Sequence, residues 1–330
     1  MVLDGQLPAA IAAAADALAA GQLVGLPTET VYGLAADAGS DAAVRGIFAA
    51  KGRPADHPLI VHVAGAAQVA EFAASVPAFA QQLIDTFWPG PLTLILPRRP
   101  GVAEAAAGGH ATIGLRCPAH PVAHALLAAA AARGVRGLAA PSANRFGRIS
   151  PTTAQHVAQE FGDELLVLDG GACSVGIEST IVDCTRGAPV LLRPGQIARA
   201  DIERVAGQRL LSKDELSTPD PQAPGTLLAH YAPRARLRLM NDKELRAALE
   251  LLGADAKNIA VWARAPLRSA SRALVLRRMP DDAAAAAQQL FAVLRGFDDA
   301  GVALIWVETP PDDAAWDGVR DRLQRAAASA

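Results

Sequence analysis

At 330 residues and a net charge of −2, the chain has room for two domains and lacks the bulk charge of a protein that coats nucleic acid. A hydrophobic content of 51% against 19% charged residues excludes a disordered chain, and no apolar run reaches bilayer length. Three cysteines, Cys117, Cys173 and Cys184, lack metal-ligand spacing and read as buried thiols in a reducing compartment rather than as a disulfide framework. With Asp4 where a basic leader would stand and Asp16 interrupting the alanine run, the expectation is a cytosolic protein.

Residues 8–20 predict a helix, with Pro8 in its first turn, alanine throughout and Gly21 as its stop. A short buried strand at 23–26 then delivers Pro27-Thr-Glu-Thr-Val-Tyr-Gly-Leu34. A threonine-rich turn explains part of that segment, but hydroxyls and a carboxylate at the carboxyl end of a strand are also how open α/β sheets hold polar ligands. Ser40 is placed to cap a helix running through Ala50, with Val44, Ile47 and Phe48 as its apolar face. It leads into Lys51-Gly-Arg-Pro-Ala-Asp-His57-Pro-Leu-Ile-Val-His62, which puts two cations and two imidazoles within a dozen residues. Gly52 is a usual helix stop, and a cation in the last turn is also an ordinary cap. His62 lies within an apolar strand over 59–63, where a satisfied core histidine is the common alternative to a ligand contact.

Helical patterns at 66–74 and 77–87 lead to Trp88-Pro-Gly-Pro91, a rigid corner before a strand at 92–96. Arg98 and Arg99 are expected in solvent. Thr112-Ile-Gly-Leu-Arg116 predicts a strand that ends in an arginine, a natural fork for a carboxylate or phosphate. After an Ala/Leu helix at 122–132, a strand at 137–140 ends in Pro141-Ser-Ala-Asn144. Ser150-Pro151 predicts a helix start whose free amides face that loop as an anion site, with Ser150 as the N-cap. Strands follow at 165–168, at 180–184 (entered through Glu178-Ser-Thr) and at 190–193, the last ending in Arg193. From 207 to 233, Pro219, Pro221, Pro224 and Gly225 interrupt a polar segment in the manner of a linker. That segment nevertheless ends in His230-Tyr231-Ala-Pro233, more side-chain function than a passive spacer requires. Helices at 243–252, 283–299 and 314–328 alternate with strands at 259–262 and 302–307, describing a small second α/β domain.

The chain carries no Walker A, no Gly-x-Gly-x-x-Gly after the first strand, no Gly-x-Ser-x-Gly and no His-Glu-x-x-His. A dispersed polar set remains: the cations Lys51, Arg53, Arg116 and Arg193, with Thr30, Ser142, Asn144, Ser179 and Thr180 as hydrogen-bonding groups. This inventory suits a polyphosphate and a small carboxylate held together by placement and charge stabilisation, without a covalent nucleophile. By itself it supports a nucleotide-using α/β enzyme of phosphoryl or adenylyl chemistry.

Taken together, Pro-Thr-Glu-Thr-Val-Tyr-Gly-Leu, Lys-Gly-Arg-Pro with His-Pro-Leu-Ile-Val-His, Trp-Pro-Gly-Pro-Leu-Thr, Pro-Ser-Ala-Asn, Glu-Ser-Thr-Ile-Val-Asp and Leu-Arg-Pro-Gly resemble the YrdC-like family, the threonylcarbamoyl-AMP synthases, over residues 23–195. The His-Tyr-Ala-Pro linker and small second domain resemble its long, two-domain form. The resemblance implies an α/β fold with an N-terminal twisted, mixed, open sheet and a smaller C-terminal Rossmann-like domain. Its expected divisions are a catalytic domain at 1–206, a Pro-rich lid over the active site at 207–236 and the C-terminal domain at 237–330. The implied reaction takes L-threonine, bicarbonate and ATP, the last with Mg²⁺, to threonylcarbamoyl-adenylate and pyrophosphate. The product would pass to a tRNA threonylcarbamoyl-transferase complex, with tRNA contact a further expectation and no membrane involved.

Carried onto this chain, the resemblance makes Lys51 and Arg53 catalytic. Lys51, Arg53, His57, Thr112, Ser142, Asn144, Ser150, Arg193 and Tyr231 would hold ATP, with His57 standing where such enzymes often carry Asn. Thr30, His62, Arg116, Ser179 and Thr180 would hold threonine, and no metal ligand is assigned. Two alternatives stand beside this reading. Carbamoyltransferase domains of the same family come with Cys-rich zinc segments, which three scattered cysteines do not supply. A non-enzymatic RNA-binding module is opposed by the near-neutral charge.

Overall fold

The computed structural model describes residues 1–216, 224 and 230–329. The chain forms two compact units, Met1–Phe146 with Ser150–Thr226, and Gly147–Ile149 with Leu227–Ala330. The central part of the expected lid, including Pro219, Pro221 and Gly225, lies outside the described residues.

In the first unit eleven strands form one mixed sheet. They are β1 Val2–Asp4, β2 Val24–Leu26, β3 Gly33–Asp37, β4 Ile60–His62, β5 Leu92–Pro97, β6 Thr112–Arg116, β7 Leu138–Ala139, β8 Leu166–Asp169, β9 Thr180–Asp183, β10 Val190–Arg193 and β11 Leu211–Ser212. Their order is β1-β8-β2-β3-β7-β4-β6-β5-β9-β10-β11. The helices are α1 Pro8–Ala19, α2 Asp41–Lys51, α3 Val69–Phe72, α4 Ala78–Phe87, α5 Pro121–Ala131, α6 Ala154–Phe161 and α7 Arg199–Ala206.

Strand alternation distributes the apolar side chains between the two faces. On β3, Leu34 and Ala36 enter one core with Val44, Ile47 and Phe48 of α2, while Ala35 enters the other with the alanine-rich faces of α1 and α5. The three large α2 residues are buried, and each contributes about 1.5–3 kcal/mol. The ends of α2 are set locally: Ser40 Oγ accepts from Ala43 N at 3.3 Å, and Gly52 takes a left-handed φ of 64°. Lys51 is thereby fixed at the last turn of a helix whose apolar face is anchored.

Several sequence expectations need correction. The helix expected over 66–74 is a 3₁₀ turn at Ala66–Gln68 followed by the one-turn α3. Arg98 is not solvated: its guanidinium donates to the carbonyls of His110 and Val102, each at 2.9 Å, so it braces the loop between β5 and β6. Ser150 does not cap a helix. Thr153 is the N-cap of α6, accepting from His156 N at 3.3 Å, and the helix starts three residues beyond Pro151. Thr153 prevails because its hydroxyl reaches a free amide of the first turn, whereas the Ser150 hydroxyl is engaged by Glu178.

The second unit holds an all-parallel sheet of β12 Arg236–Met240, β13 Ile259–Ala263, β14 Val275–Arg278 and β15 Leu304–Glu308, in the order β12-β15-β13-β14. Helices α8 Asp242–Leu252, α9 Ala283–Asp299 and α10 Asp317–Ala327 accompany it. The central strand β13 is buried throughout, whereas β14 is an exposed edge rich in arginine, as expected for a buried parallel sheet with a guarded border. Neither β12 nor β14 was anticipated, because each mixes arginines with aliphatics and shows little continuous apolar signal.

Candidate functional site

The loop between β2 and β3 organises one end of the site. Thr28 Oγ1 donates to Val31 O at 2.6 Å and accepts from the amides of Thr30 and Val31, each at 3.2 Å, folding the loop on itself. That fold aims Thr30 inward, where its hydroxyl accepts from Arg116 Nη1 at 2.7 Å. Arg116 closes β6 and is buried, and its Nη2 lies 2.6 Å from Glu29 Oε1. The other carboxylate oxygen of Glu29 accepts from Ala119 N at 3.1 Å.

His62 ends the neighbouring β4, in parallel register with Arg116. It is buried, and its pKa is lowered to about 3, first by burial and then by the charge of Arg116; backbone contacts at Ile60 and Leu138 offset only part of this. The imidazole is therefore neutral at physiological pH. A folded-state pKa below the ordinary value of 6.5 means that the unfolded chain takes up a proton the folded chain refuses. Stability conferred by neutral His62 is accordingly full above 6.5 and falls as the pH drops towards 3, a loss of about 2 kcal/mol near pH 5. Denaturant unfolding of His62→Gln is expected to show a shallower dependence on pH between about 5 and 7 than the parent chain. An unchanged slope would remove His62 as its source.

Ser179 and Thr180 enter β9 beside this group. Ser179 Oγ is 2.7 Å from Thr93 Oγ1 and accepts from Arg193 Nη2 at 3.2 Å. Arg193 also donates to Ser179 O at 3.0 Å and to Pro224 O at 2.8 Å, so it organises the Ser179 turn and meets the linker. Gly195 makes this possible: a Cβ there would lie 2.4 Å from Thr180 N and 2.7 Å from Thr180 Oγ1.

The other end of the site gathers around Lys51. Its buried ammonium donates to Ser142 O at 2.5 Å and to Asn144 O, tying the end of α2 to the loop after β7. Burial first, and then the charge of Arg53, lower its pKa well below the ordinary value, while Glu160 and Glu178 oppose the shift. Arg53 donates to Pro58 O at 3.0 Å, and its guanidinium lies 5.6 Å from the Phe146 ring. His57 meets the same ring edge-on at 5.5 Å, and its pKa is lowered by burial and then by Arg53. Thr112 opens β6, whose register with β4, Ile60 opposite Gly114, leads back to this His57 end. Ser150 donates to Glu178, the residue preceding Ser179.

The dozen residues from Lys51 to His62 thus divide between two ends. His57 precedes β4 and His62 finishes it, so the two imidazoles lie towards opposite ends of that strand. Phe146 and Glu178 join the group without a role expected of them, and Glu29, expected only as the carboxylate of a polar strand-end cluster, joins it as the partner of Arg116. For the two glutamates the available signal was an acidic residue embedded in an otherwise hydroxyl-bearing strand-end motif. Tyr231 belongs to the second unit, where its φ is 63° and its buried ring packs 5.3 Å from Phe291 and 5.7 Å from the Arg322 guanidinium. In the same unit Ala232 N donates to Gly147 O at 2.7 Å, and Arg295 donates to Ile149 O.

All three cysteines are buried thiols outside any disulfide, with burial raising each thiol pKa. Among the described residues no helix is long and apolar enough to cross a membrane.

Comparison with known proteins agrees with this geometry. The family model Sua5/YciO/YrdC, described as telomere recombination, matches residues 16–195. A second, described as threonylcarbamoyl-AMP synthase, C-terminal domain, matches residues 197–328. The chain is 39% identical to the threonylcarbamoyl-AMP synthase of Pyrococcus abyssi over 95% of its length and 92% of the relative's. It is 37% identical to that of Bacillus subtilis, over 96% and 92%. The crystal structure of P. abyssi Sua5 complexed with L-threonine superposes with a TM-score of 0.86 at 38% identity, covering 97% of this chain and 94% of that one.

Proposed function

The chain belongs to the Sua5/YciO/YrdC family of threonylcarbamoyl-AMP synthases, and we propose that its two-ended polar site holds threonine at Arg116 and the nucleotide at Lys51. Its activity is the formation of threonylcarbamoyl-AMP, a nucleotidyl transfer whose substrates include L-threonine and ATP. The observation that supports this division is the pairing of Arg116 with Thr30 beside neutral His62 at one end, and the Lys51–Ser142–Asn144 tie at the other.

In this reading Arg116 takes the threonine carboxylate, and Thr30, His62, Ser179 and Thr180 surround the rest of the amino acid. Lys51 and Arg53 form the cationic, catalytic end that meets the phosphates, with His57, Thr112, Ser142, Asn144, Ser150 and Arg193 completing the ATP site. The deprotonated amine forms an N–C bond to CO₂ with loss of a proton, or to bicarbonate with loss of water, and the resulting carbamate oxygen attacks the α-phosphorus as its bond to the pyrophosphate oxygen breaks. The chain contributes mainly position and charge: a buried cation changes little in solvation as negative charge builds on the leaving group.

The described residues offer no group of three or more His, Cys, Asp or Glu side chains able to hold a metal ion. Mg²⁺ would arrive on the triphosphate as part of the substrate, where it would supply charge neutralisation. Tyr231 would be the remaining nucleotide contact, and exclusion of water would protect the labile product. The product then serves tRNA threonylcarbamoyladenosine formation through a transferase complex in the cytoplasm.

Mass spectrometry of the full chain incubated with ATP, Mg²⁺, bicarbonate and isotopically labelled threonine tests the reaction. The expected product is an adenylate carrying the label, dependent on both bicarbonate and threonine. Nucleotide binding without any threonine-dependent pyrophosphate would refute the substrate assignment.

A further inference from the structure

Arg116 does not stand alone at its end of the site. Its Nη2 and Glu29 Oε1 are 2.6 Å apart, yet neither atom makes a hydrogen bond of normal direction among the described residues. Their other donors and acceptors are well used: Arg116 Nη1 on Thr30, Arg116 Nε on Gly90 O at 3.3 Å, and Glu29 Oε2 on Ala119 N. Both side chains are more than nine-tenths buried. A buried ion pair recovers its desolvation cost only when its bonds are well directed, and these two facing atoms fall short of that. Each keeps hydrogen-bonding capacity for a third party.

We propose that Glu29 and Arg116 together form a reader of the amino-acid zwitterion, Glu29 receiving the α-ammonium while Arg116 receives the α-carboxylate. The inference rests on the assignment of threonine to the Arg116 end. An α-amino acid carries its opposite charges on adjacent groups, so it can enter between a carboxylate and a guanidinium and leave both charges compensated. A carboxylic acid without the ammonium must instead displace Glu29 from Arg116 and leave it beside a second anion. Glu29 is thus a specificity-determining residue for the amino group, the atom that later carries the carbamate. Thr30 lies next in the chain and positions Arg116 through its hydroxyl, so the acidic and hydroxyl members of the motif serve one recognition task.

The test measures binding of L-threonine and of 3-hydroxybutyrate, which lacks the ammonium, to the full chain and to Glu29→Gln by calorimetry. The parent chain is expected to prefer threonine by at least tenfold. Glu29→Gln should weaken threonine at least tenfold and leave 3-hydroxybutyrate unchanged or tighter, because Arg116 has lost its internal competitor. A merely structural glutamate would weaken both ligands by one factor, and that result overturns the proposal. Glu29→Asp guards against misfolding: it keeps the charge and should keep the preference, and loss of preference there also overturns it. If the parent chain binds ATP but no threonine, the assignment of threonine to this end fails first and the zwitterion reader falls with it. A parent chain that binds threonine and 3-hydroxybutyrate equally refutes the reader alone.

Discussion

Arg116→Ala is expected to lower threonine-dependent pyrophosphate release by roughly a hundredfold to a thousandfold, the rate equivalent of losing one member of a buried charge pair. The same change should lower the free energy of unfolding by about 3–5 kcal/mol, because it leaves Glu29 charged and unaccompanied in a buried site. Both effects have one origin: Arg116 is buried against Glu29, Thr30 and the Gly90 carbonyl, and water cannot take its place. Adding Glu29→Gln to Arg116→Ala should recover part of the stability, since the stranded charge is gone, and none of the turnover. Steady-state pyrophosphate assays and denaturant titrations on the three chains separate the two effects. Arg116→Ala with parental turnover would exclude the fork from threonine recognition.

Lys51→Met should reduce turnover by about a hundredfold, the scale of losing one preorganised donor in a charge-stabilising site. Methionine matches the lysine stem in volume, so the core under α2 stays filled, but the carbonyls of Ser142 and Asn144 lose their shared donor. Ser142 O keeps the Asn144 amide at 3.0 Å, so what is lost is the tie between the end of α2 and this loop, about 1 kcal/mol per hydrogen bond, and the loop that carries Ser142 and Asn144 should loosen. Affinity for ATP should fall together with turnover. Lys51→Arg is not expected to restore it, because a planar fork cannot occupy the point between two carbonyls that a compact ammonium fills. Parental ATP affinity and turnover in Lys51→Met would show the tie to be dispensable.

These two positions mark the boundary between local and long-range information. Ser40, the apolar face of α2, Gly52 and the cation at position 51 were legible because caps and helical periodicity act within a few residues. The strand-end placement of Arg116 and Arg193 was legible for a similar reason, as each closes a short apolar run. The resemblance over residues 23–195 then joined these segments into one site in the correct order. What each side chain touches was not legible in the same way. Position 150 looked like a helix cap until the fold brought Glu178 to its hydroxyl, twenty-eight residues on. Arg98 looked solvated until the 98–110 loop closed around it.

Chain pattern alone determined the α/β class, the limits of α2 and the inventory of polar groups, because propensity, periodicity and caps are settled between near neighbours. Tertiary structure decided how that inventory is shared out. It split the Lys51–His62 run between two ends of β4, drew Lys51 to Ser142 ninety-one residues away, and set Arg116 against Thr30 across eighty-six. Sheet order and register impose those meetings, and they supply both the low dielectric that neutralises His62 and the confinement that holds Glu29 against Arg116.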